Sequence, residues 1–250
     1  MAIPWGGSSV FERFASAYDL LTSQEIWREH IRHLLSHVEP LPSGASALDL
    51  GCGPGESAFE LALRVGPSVR VVGVDIAEAM IARARAHHAS RHAGLANLEL
   101  LRADAMDLPF ETGTFHVAIA HSFLYLVPDR ARVLREAFRV LAPGGQIAMM
   151  EPRAGAPLAK AALTAVSEPR RYVSKPISSA RFFASMVSWR AVVGLSGGLT
   201  RELAEELFAG AGFSEIQLSP ALFGLGLHIR ARKPPESDAR RSSSSEPPRA

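Results

Sequence analysis
The sequence predicts an α/β domain, and three observations carry that prediction. Short apolar runs alternate with stretches of helical period between about residues 46 and 152. One run, Ala47-Leu48-Asp49-Leu50, breaks into the alternate glycines Gly51, Gly53 and Gly55, and helical spacing resumes at Glu56 with Ala58, Leu61, Ala62 and Val65 on one face. The next run, Val69–Val74, ends in an acid, Asp75, twenty residues beyond Gly55. Strand, bare loop and helix N-terminus in succession make the place where an α/β protein holds a nucleotide-like ligand.

The spacing also selects the ligand's charge. Dinucleotide sites read Gly-x-Gly-x-x-Gly, with a pyrophosphate on the helix N-terminus. Here the loop reads Gly-x-Gly-x-Gly, flanked by Asp49 and Glu56. Carboxylates at those positions repel a pyrophosphate and attract a cation, which disfavours a nicotinamide dehydrogenase. Asp75 suits bidentate hydrogen bonding to ribose hydroxyls. It equally suits capping the helix that follows, which carries Met80, Ile81 and Ala84.

At 250 residues the chain is long enough for one sizeable α/β domain. A net charge of +2 is too balanced to argue for nucleic acid. The single cysteine, Cys52, excludes an intrachain disulfide and reads as a small loop filler. Residues 1–7 have neither a basic nor an apolar leader region, so the expected location is the cytoplasm.

In chain order, residues 9–38 read as helical, with Phe11, Phe14, Ala15, Ile26, Ile31, Leu34 and Leu35 apolar. Helix 77–92 carries Arg83, Arg85, His87, His88, Arg91 and His92, a basic face expected to be solvated. His88 with His92 alone does not make a metal site, and no metal is expected. Leu98–Arg102 forms a third strand, followed by Ala103-Asp104-Ala105-Met106. A fourth, Val117–Ala120, delivers His121-Ser122-Phe123-Leu124-Tyr125 to the ligand-binding edge of the sheet. Asp129 opens a helix that Ala142-Pro143-Gly144-Gly145 ends, and the fifth strand, Gln146–Met150, leads into Glu151-Pro152. Two helix-like pieces follow, about 157–167 and 178–194. Thr200 caps a last helix, and Phe213–Leu218 and Leu222–Ala231 read as closing strands. Ser-, Pro- and Arg-rich sequence from Pro234 onward reads as a flexible tail.

These motifs together resemble the class I S-adenosylmethionine (SAM) methyltransferases, in particular the small-molecule, ubiquinone/menaquinone C-methyltransferase-like group (methyltransferase type 11). The resemblance rests on Leu48–Gly55, Phe14–Asp19, Ala103–Met106, Leu108-Pro109-Phe110, Gly113-Thr114-Phe115 and Leu141–Gly145. His116 departs from the family pattern, which usually has an acid there. The resemblance implies a Rossmann-like, doubly wound, seven-stranded sheet with a C-terminal antiparallel hairpin and a helical lid insertion. It divides the chain into an N-terminal cap (1–45), a SAM-binding core (46–152), a substrate lid (153–199), the closing helix and strands (200–233) and the tail (234–250). SAM is the implied cofactor, touched by Asp49, Gly51, Cys52, Gly53, Gly55, Asp75, Ile76, Met80, Asp104, Ala105 and His121. Asp104 is placed at the adenine amine and Met80 beside the adenine, although a core position explains Met80 as well.

The implied activity is methyl transfer to a small, lipophilic acceptor, by C- or O-methylation of a quinone, phenol or polyketide-like metabolite. Candidates for a general base are His121, whose ordinary pKa lies near neutrality, then Glu151 and Tyr18. A packing role for His121 and a surface role for Tyr18 stay open. In the lid, Phe182, Phe183 and Trp189 suit an apolar body. Lys160, Arg170, Arg171, Lys175, Arg181 and Arg190, against the acid Glu168, suit an anionic group or an anionic membrane surface. Those same residues also fit a cap with its apolar stripe inward and its charges solvated. Competing readings are an N-methyltransferase of a lipid head group or small amine, and a SAM-binding regulator without catalysis. The fourth strand lacks the Asn/Asp-Pro-Pro-aromatic motif of base amino methylation, so no nucleic-acid partner is expected, and no obligate protein partner either.

Overall fold
In the computed structural model the described residues are 7–22, 24–156, 184–187, 189–194 and 197–236. They form helices α1 (Gly7–Thr22) and α2 (Glu25–Leu35), strand β1 (Ser46–Leu50), α3 (Glu56–Val65), β2 (Arg70–Asp75), α4 (Glu78–Arg91), β3 (Leu98–Arg102), β4 (Phe115–His121), α5 (Arg130–Val140), β5 (Leu141–Pro152), α6 (Arg201–Gly210), β6 (Ser214–Ala221) and β7 (Gly226–Arg232). The seven strands make one sheet in the order β3-β2-β1-β4-β5-β7-β6. β1 to β5 run parallel, and β7 pairs antiparallel with both β5 and β6.

Alternation along the strands builds two cores. Ala47, Val71, Val117, Ile119 and Ala148 face Ile31, Leu34, Phe59, Leu61 and Ile81 of α2, α3 and α4. Leu48, Leu50, Val72, Val74, Ala118 and Ala120 face Val133, Leu134, Ala137 and Phe208 of α5 and α6. Helices therefore cover both faces, which is why the central strands are apolar throughout. β1 lies between β2 and β4, so chain connections diverge from it and a crevice opens at the strands' carboxyl ends.

Several expectations are corrected in detail. The single helical run 9–38 is two helices, parted at Gln24, whose backbone is extended (φ −109°, ψ 149°). The side chains of Phe11, Phe14 and Ile26 lie outside the described residues. Leu222 does not begin the last strand. Leu222 and Phe223 adopt positive φ (47° and 56°) in a turn, and β7 starts at Gly226. β5 begins earlier than expected, because Leu141 already pairs with Phe115 before the Pro-Gly-Gly irregularity. Asp129 and Thr200 cap α5 and α6 as expected, accepting from Arg132 N (2.8 Å) and Leu203 N (3.1 Å). In the lid, the piece at 157–167 lies outside the described residues, as do Lys160, Arg170, Arg171, Lys175, Arg181, Phe182 and Phe183. Residues 184–187 and 189–194 are helical.

The basic face of α4 is not simply solvated. Arg83 and His87 reach Asp19 of α1 at 3.0 and 3.2 Å, and Nδ1 of His87 meets the Pro54 carbonyl at 3.2 Å. Glu12 of α1 caps α4 from outside, accepting from the N–H groups of Glu78 (2.7 Å) and Ala79 (3.0 Å). Those donors have no partner within the helix. Glu12→Ala is expected to lower unfolding stability by about 1 kcal/mol in urea titration. An unchanged midpoint would show that the Asp19 pairs and the packing of Ala15 on Ala77 and Met80 hold α1 without it.

Candidate active site
The crevice is shaped by the glycine loop. Gly51 has φ +68°, and a Cβ there would meet Cδ2 of Phe123 at 2.1 Å. Gly55 has φ +101° and serves as the N-cap of α3, where a Cβ would meet Cζ of Phe59 at 2.6 Å. Only glycine combines that backbone with that closeness. Gly53 N donates to Oδ2 of Asp75 at 3.0 Å, and Ala77 N donates to its Oδ1 at 2.9 Å. Asp75 thus anchors the loop and the turn into α4, while Glu12 takes the capping role at the helix itself.

A cleft of about 260 Å³ opens over this loop. Among the site residues expected from sequence, Tyr18, Gly51, Gly53, Asp75, Ile76, Met80, Asp104 and Ala105 line it. Asp104 is held in place by Met106 N, which donates to its Oδ1 at 2.8 Å. The charged side chains on the wall, Asp75 and Asp104, are both acids. Burial pushes the Asp75 carboxyl up from its ordinary value, against the pull of its backbone donors.

Four expected contacts lie off this wall. Cys52 is buried among apolar residues, its thiol pushed well up by burial, which fits a core filler rather than a nucleophile. Gly55 sits behind the loop at the helix start. Asp49 is fully buried, with Oδ2 accepting from Ser57 Oγ at 2.6 Å and Oδ1 without a hydrogen-bond partner among the described residues. His121 turns its ring away, toward Trp27. Glu56 is also diverted. It faces α2, where Nε of Arg28 holds it at 2.7 Å, so it adds little negative charge to the loop.

The base candidates differ sharply in their surroundings. Glu151 is fully buried and accepts from the N–H groups of Phe123 (3.0 Å), Leu124 (2.8 Å) and Tyr125 (3.1 Å). Those three bonds anchor the turn after β4 and leave Oε2 with a single accepted hydrogen bond. Tyr18 stands at the cleft beside Gly53, but burial, with Asp75 and Glu151 nearby, pushes its phenol up to about 12. It stays protonated and suits donation, not proton abstraction.

His121 ends β4, next to Ser122, which lines the cleft in a left-handed conformation (φ 55°). Strain of this kind is often tied to function. The His121 ring lies 6.0 Å from Trp27 in an edge-to-face arrangement, and Trp27 in turn contacts His30 (6.3 Å) and Trp189 (6.4 Å). Nε1 of Trp27 donates to Ser185 Oγ at 3.0 Å, tying α2 to the helical residues 184–187. Nε2 of His121 and Nε2 of His30 are buried and have no hydrogen-bond partner among the described residues. The near-neutral pKa expected of His121 is corrected: burial, with His30 and His228 close by, lowers it to about 3. Desolvation disfavours the imidazolium, so the ring is neutral.

Sequence reasoning passed over Trp27, His30, Phe123 and Glu12. Phe123 lies in the segment that β4 delivers to the ligand-binding edge. Trp27 and His30 sit on an amphipathic helix whose partner the sequence does not reveal.

Fold and cleft together define a nucleoside-binding, doubly wound α/β protein whose site favours a positively charged ligand. Residues 41–194 match the methyltransferase-domain family, and the chain belongs to that family. A demethylmenaquinone methyltransferase of Lactococcus lactis subsp. lactis is 36% identical over 148 residues, covering 57% of this chain and 56% of that protein. Nocamycin O-methyltransferase of Saccharothrix syringae is 41% identical over 143 residues, covering 57% of this chain and 50% of that protein. The chain thus spans about half the length of these curated relatives. The fold is similar to that of phosphoethanolamine N-methyltransferase 2 of Haemonchus contortus in complex with SAM, with a TM-score of 0.65 at 17% identity over 92% of this chain and 60% of that one.

SAM is accordingly the cofactor, and the residues present fit it. The wall carries acids without a base, the glycines stand where a Cβ would obstruct, and a buried carboxylate oxygen of Asp49 awaits a partner. Among the described residues, no helix is long and apolar enough to cross a membrane.

Proposed function
We propose that this chain transfers a methyl group to oxygen or carbon of a small, lipophilic, aromatic acceptor of the phenol or quinol kind. One observation carries the reading. Beside the cleft, a neutral imidazole nitrogen of His121 is enclosed by Trp27 and His30 and lacks a partner among the described residues. Aromatic surroundings of that kind suit an apolar ring that brings its own hydroxyl donor. The name of the demethylmenaquinone methyltransferase supports a quinone-type acceptor, and that of nocamycin O-methyltransferase supports transfer to oxygen.

When bound, SAM supplies a methyl on a sulfonium that leaves as a neutral thioether. Asp75, Asp104, Ile76 and Met80 would hold its adenosine, and Gly51 and Gly53 would admit its amino-acid end. Trp27 and Trp189 exclude water from the acceptor side. His121 accepts the acceptor's hydroxyl hydrogen at Nε2, which orients the oxygen and takes its proton as the nucleophile forms.

Incubation with SAM and a panel of phenols, quinols and amines tests the reading, with methylated product and S-adenosylhomocysteine both quantified. Product from phenols or quinols supports it. Product from amines alone transfers the chain to the N-methylating alternative, and SAM binding without any product favours the regulator.

Asp49 gives a further expectation. Burial pushes its carboxyl up to about 7, helped by Asp75 and opposed by Ser57. Below that value it is protonated and neutral, whereas a cationic ligand favours the ionised form. SAM affinity is therefore expected to fall about tenfold from about pH 8 to about pH 6 in calorimetry. A flat profile would show that SAM binding does not depend on the charge of Asp49.

A further inference from the structure
The end of α2 and strand β7 bring together three imidazoles that methyl transfer does not use. His33 lies in the last turn of α2, His37 in the turn just beyond it, and His228 midway along β7 between Met150 of β5 and Ser219 of β6. His33 and His37, four residues apart at the helix end, share a side. Ring centroids are 5.3 Å apart for His33 and His37, 5.0 Å for His33 and His228, and 5.5 Å for His37 and His228. One ring nitrogen from each lies within 4.8 Å of the other two. His228 is only 2% exposed, and neither of its ring nitrogens has a hydrogen-bond partner among the described residues. A buried imidazole with both nitrogens unpaired is costly, and packing alone does not account for it.

We propose that His33, His37 and His228 form a binding site for a borderline divalent transition-metal ion, zinc above all. An all-imidazole donor set suits zinc, copper or nickel and does not suit magnesium or calcium. Zinc binds imidazole nitrogen at about 2.0–2.1 Å, which sets tetrahedral ligand nitrogens about 3.3 Å apart, so the three must draw in from within 4.8 Å. His33 is exposed and His37 half-buried, so both can rotate toward the fixed His228, and the ion has an open path from solvent. Three protein ligands leave a fourth position on the exposed side. Arg230, on the same strand, donates to Gln217 Oε1, and its charge opposes a cation. The affinity therefore falls below that of cysteine-rich structural sites. A bound ion pins α2 to β7 and with it the helix that carries Trp27 and His30. The inference is independent of the acceptor and of methyl transfer.

Titration of zinc into tag-free, chelator-treated full chain by calorimetry tests the site, alongside the visible spectrum of the cobalt(II) form. Expected are one zinc per chain, a higher melting temperature with zinc, and cobalt bands of tetrahedral intensity. His33→Ala and His37→Ala remove ligands from exposed and half-buried positions, so the metal-free fold should be unchanged. Each is expected to weaken zinc binding at least about tenfold, whereas His88→Ala on α4 leaves it intact. Absence of zinc binding by the parent chain overturns the proposal. So does undiminished binding by the double variant His33→Ala/His37→Ala, which would place the ion elsewhere.

Discussion
Gly51→Ala is expected to weaken SAM binding by about 5-fold to about 100-fold. Two costs combine at this position. The backbone sits at φ +68°, where an L residue is strained, at about 1–3 kcal/mol. The added methyl would also lie 2.1, 2.6 and 2.9 Å from Cδ2, Cγ and Cε2 of Phe123. Overpacking of this kind costs about 1–3 kcal/mol. Phe123 has little room to retreat along the chain, because its own N–H and those of Leu124 and Tyr125 are held by the buried Glu151. The ring's remaining escape is to swing aside within the cleft that both residues line, which is the space the cofactor needs. The backbone strain is present with and without SAM and lowers stability alone. The overpacking counts against binding, and at 1.4 kcal/mol per factor of ten it comes to about 5-fold to about 100-fold in dissociation constant. Gly44→Ala is the matched control. It has a similar φ, +81°, with nothing within 4 Å of the added atom. It should lose some stability and keep its affinity. Calorimetry that finds the Gly51 variant within about threefold of the parent would show that Phe123 yields freely and that the loop is not the tight cradle described.

Legibility in the sequence followed the range of the physics involved. Strand, loop and helix around Gly51 were readable because apolar periodicity and glycine spacing act over a few residues. The doubly wound seven-stranded sheet and its closing antiparallel hairpin came through resemblance, and the structure bears both out. What stayed hidden depends on which side chains meet across the fold. Glu56 reads as part of the loop's charge until Arg28 of α2 claims it. Glu151 reads as a carboxylate at the ligand edge until three backbone N–H groups are found on it. The trio His33, His37 and His228 joins a helix end to a distant strand, and no local spacing announces it.

The same distinction decides the second large effect, at His121. Position alone suggested a base near neutrality, but enclosure makes it a neutral imidazole whose pKa is lowered to about 3. A base so weak drives proton transfer poorly by itself, so its share should lie at the lower end of general-base catalysis, about 100-fold in turnover. His121→Ala is therefore expected to cut kcat about 100-fold on a phenolic acceptor while changing SAM affinity less than about twofold, since the ring is not on the cleft wall. The pH profile separates this role from a merely structural one. The neutral form is the active form, and it persists as pH falls until about 3, the folded-state value. At saturating SAM, kcat should thus show no acid limb assignable to an imidazole between about pH 5 and pH 8. An acid limb near the ordinary histidine value would mean that the ring is solvated during turnover and stronger as a base than its enclosure allows. Equal losses in kcat and in SAM affinity would instead make His121 a prop for Ser122 and Phe123 at the cleft, and the proton would have to leave by way of the acceptor itself.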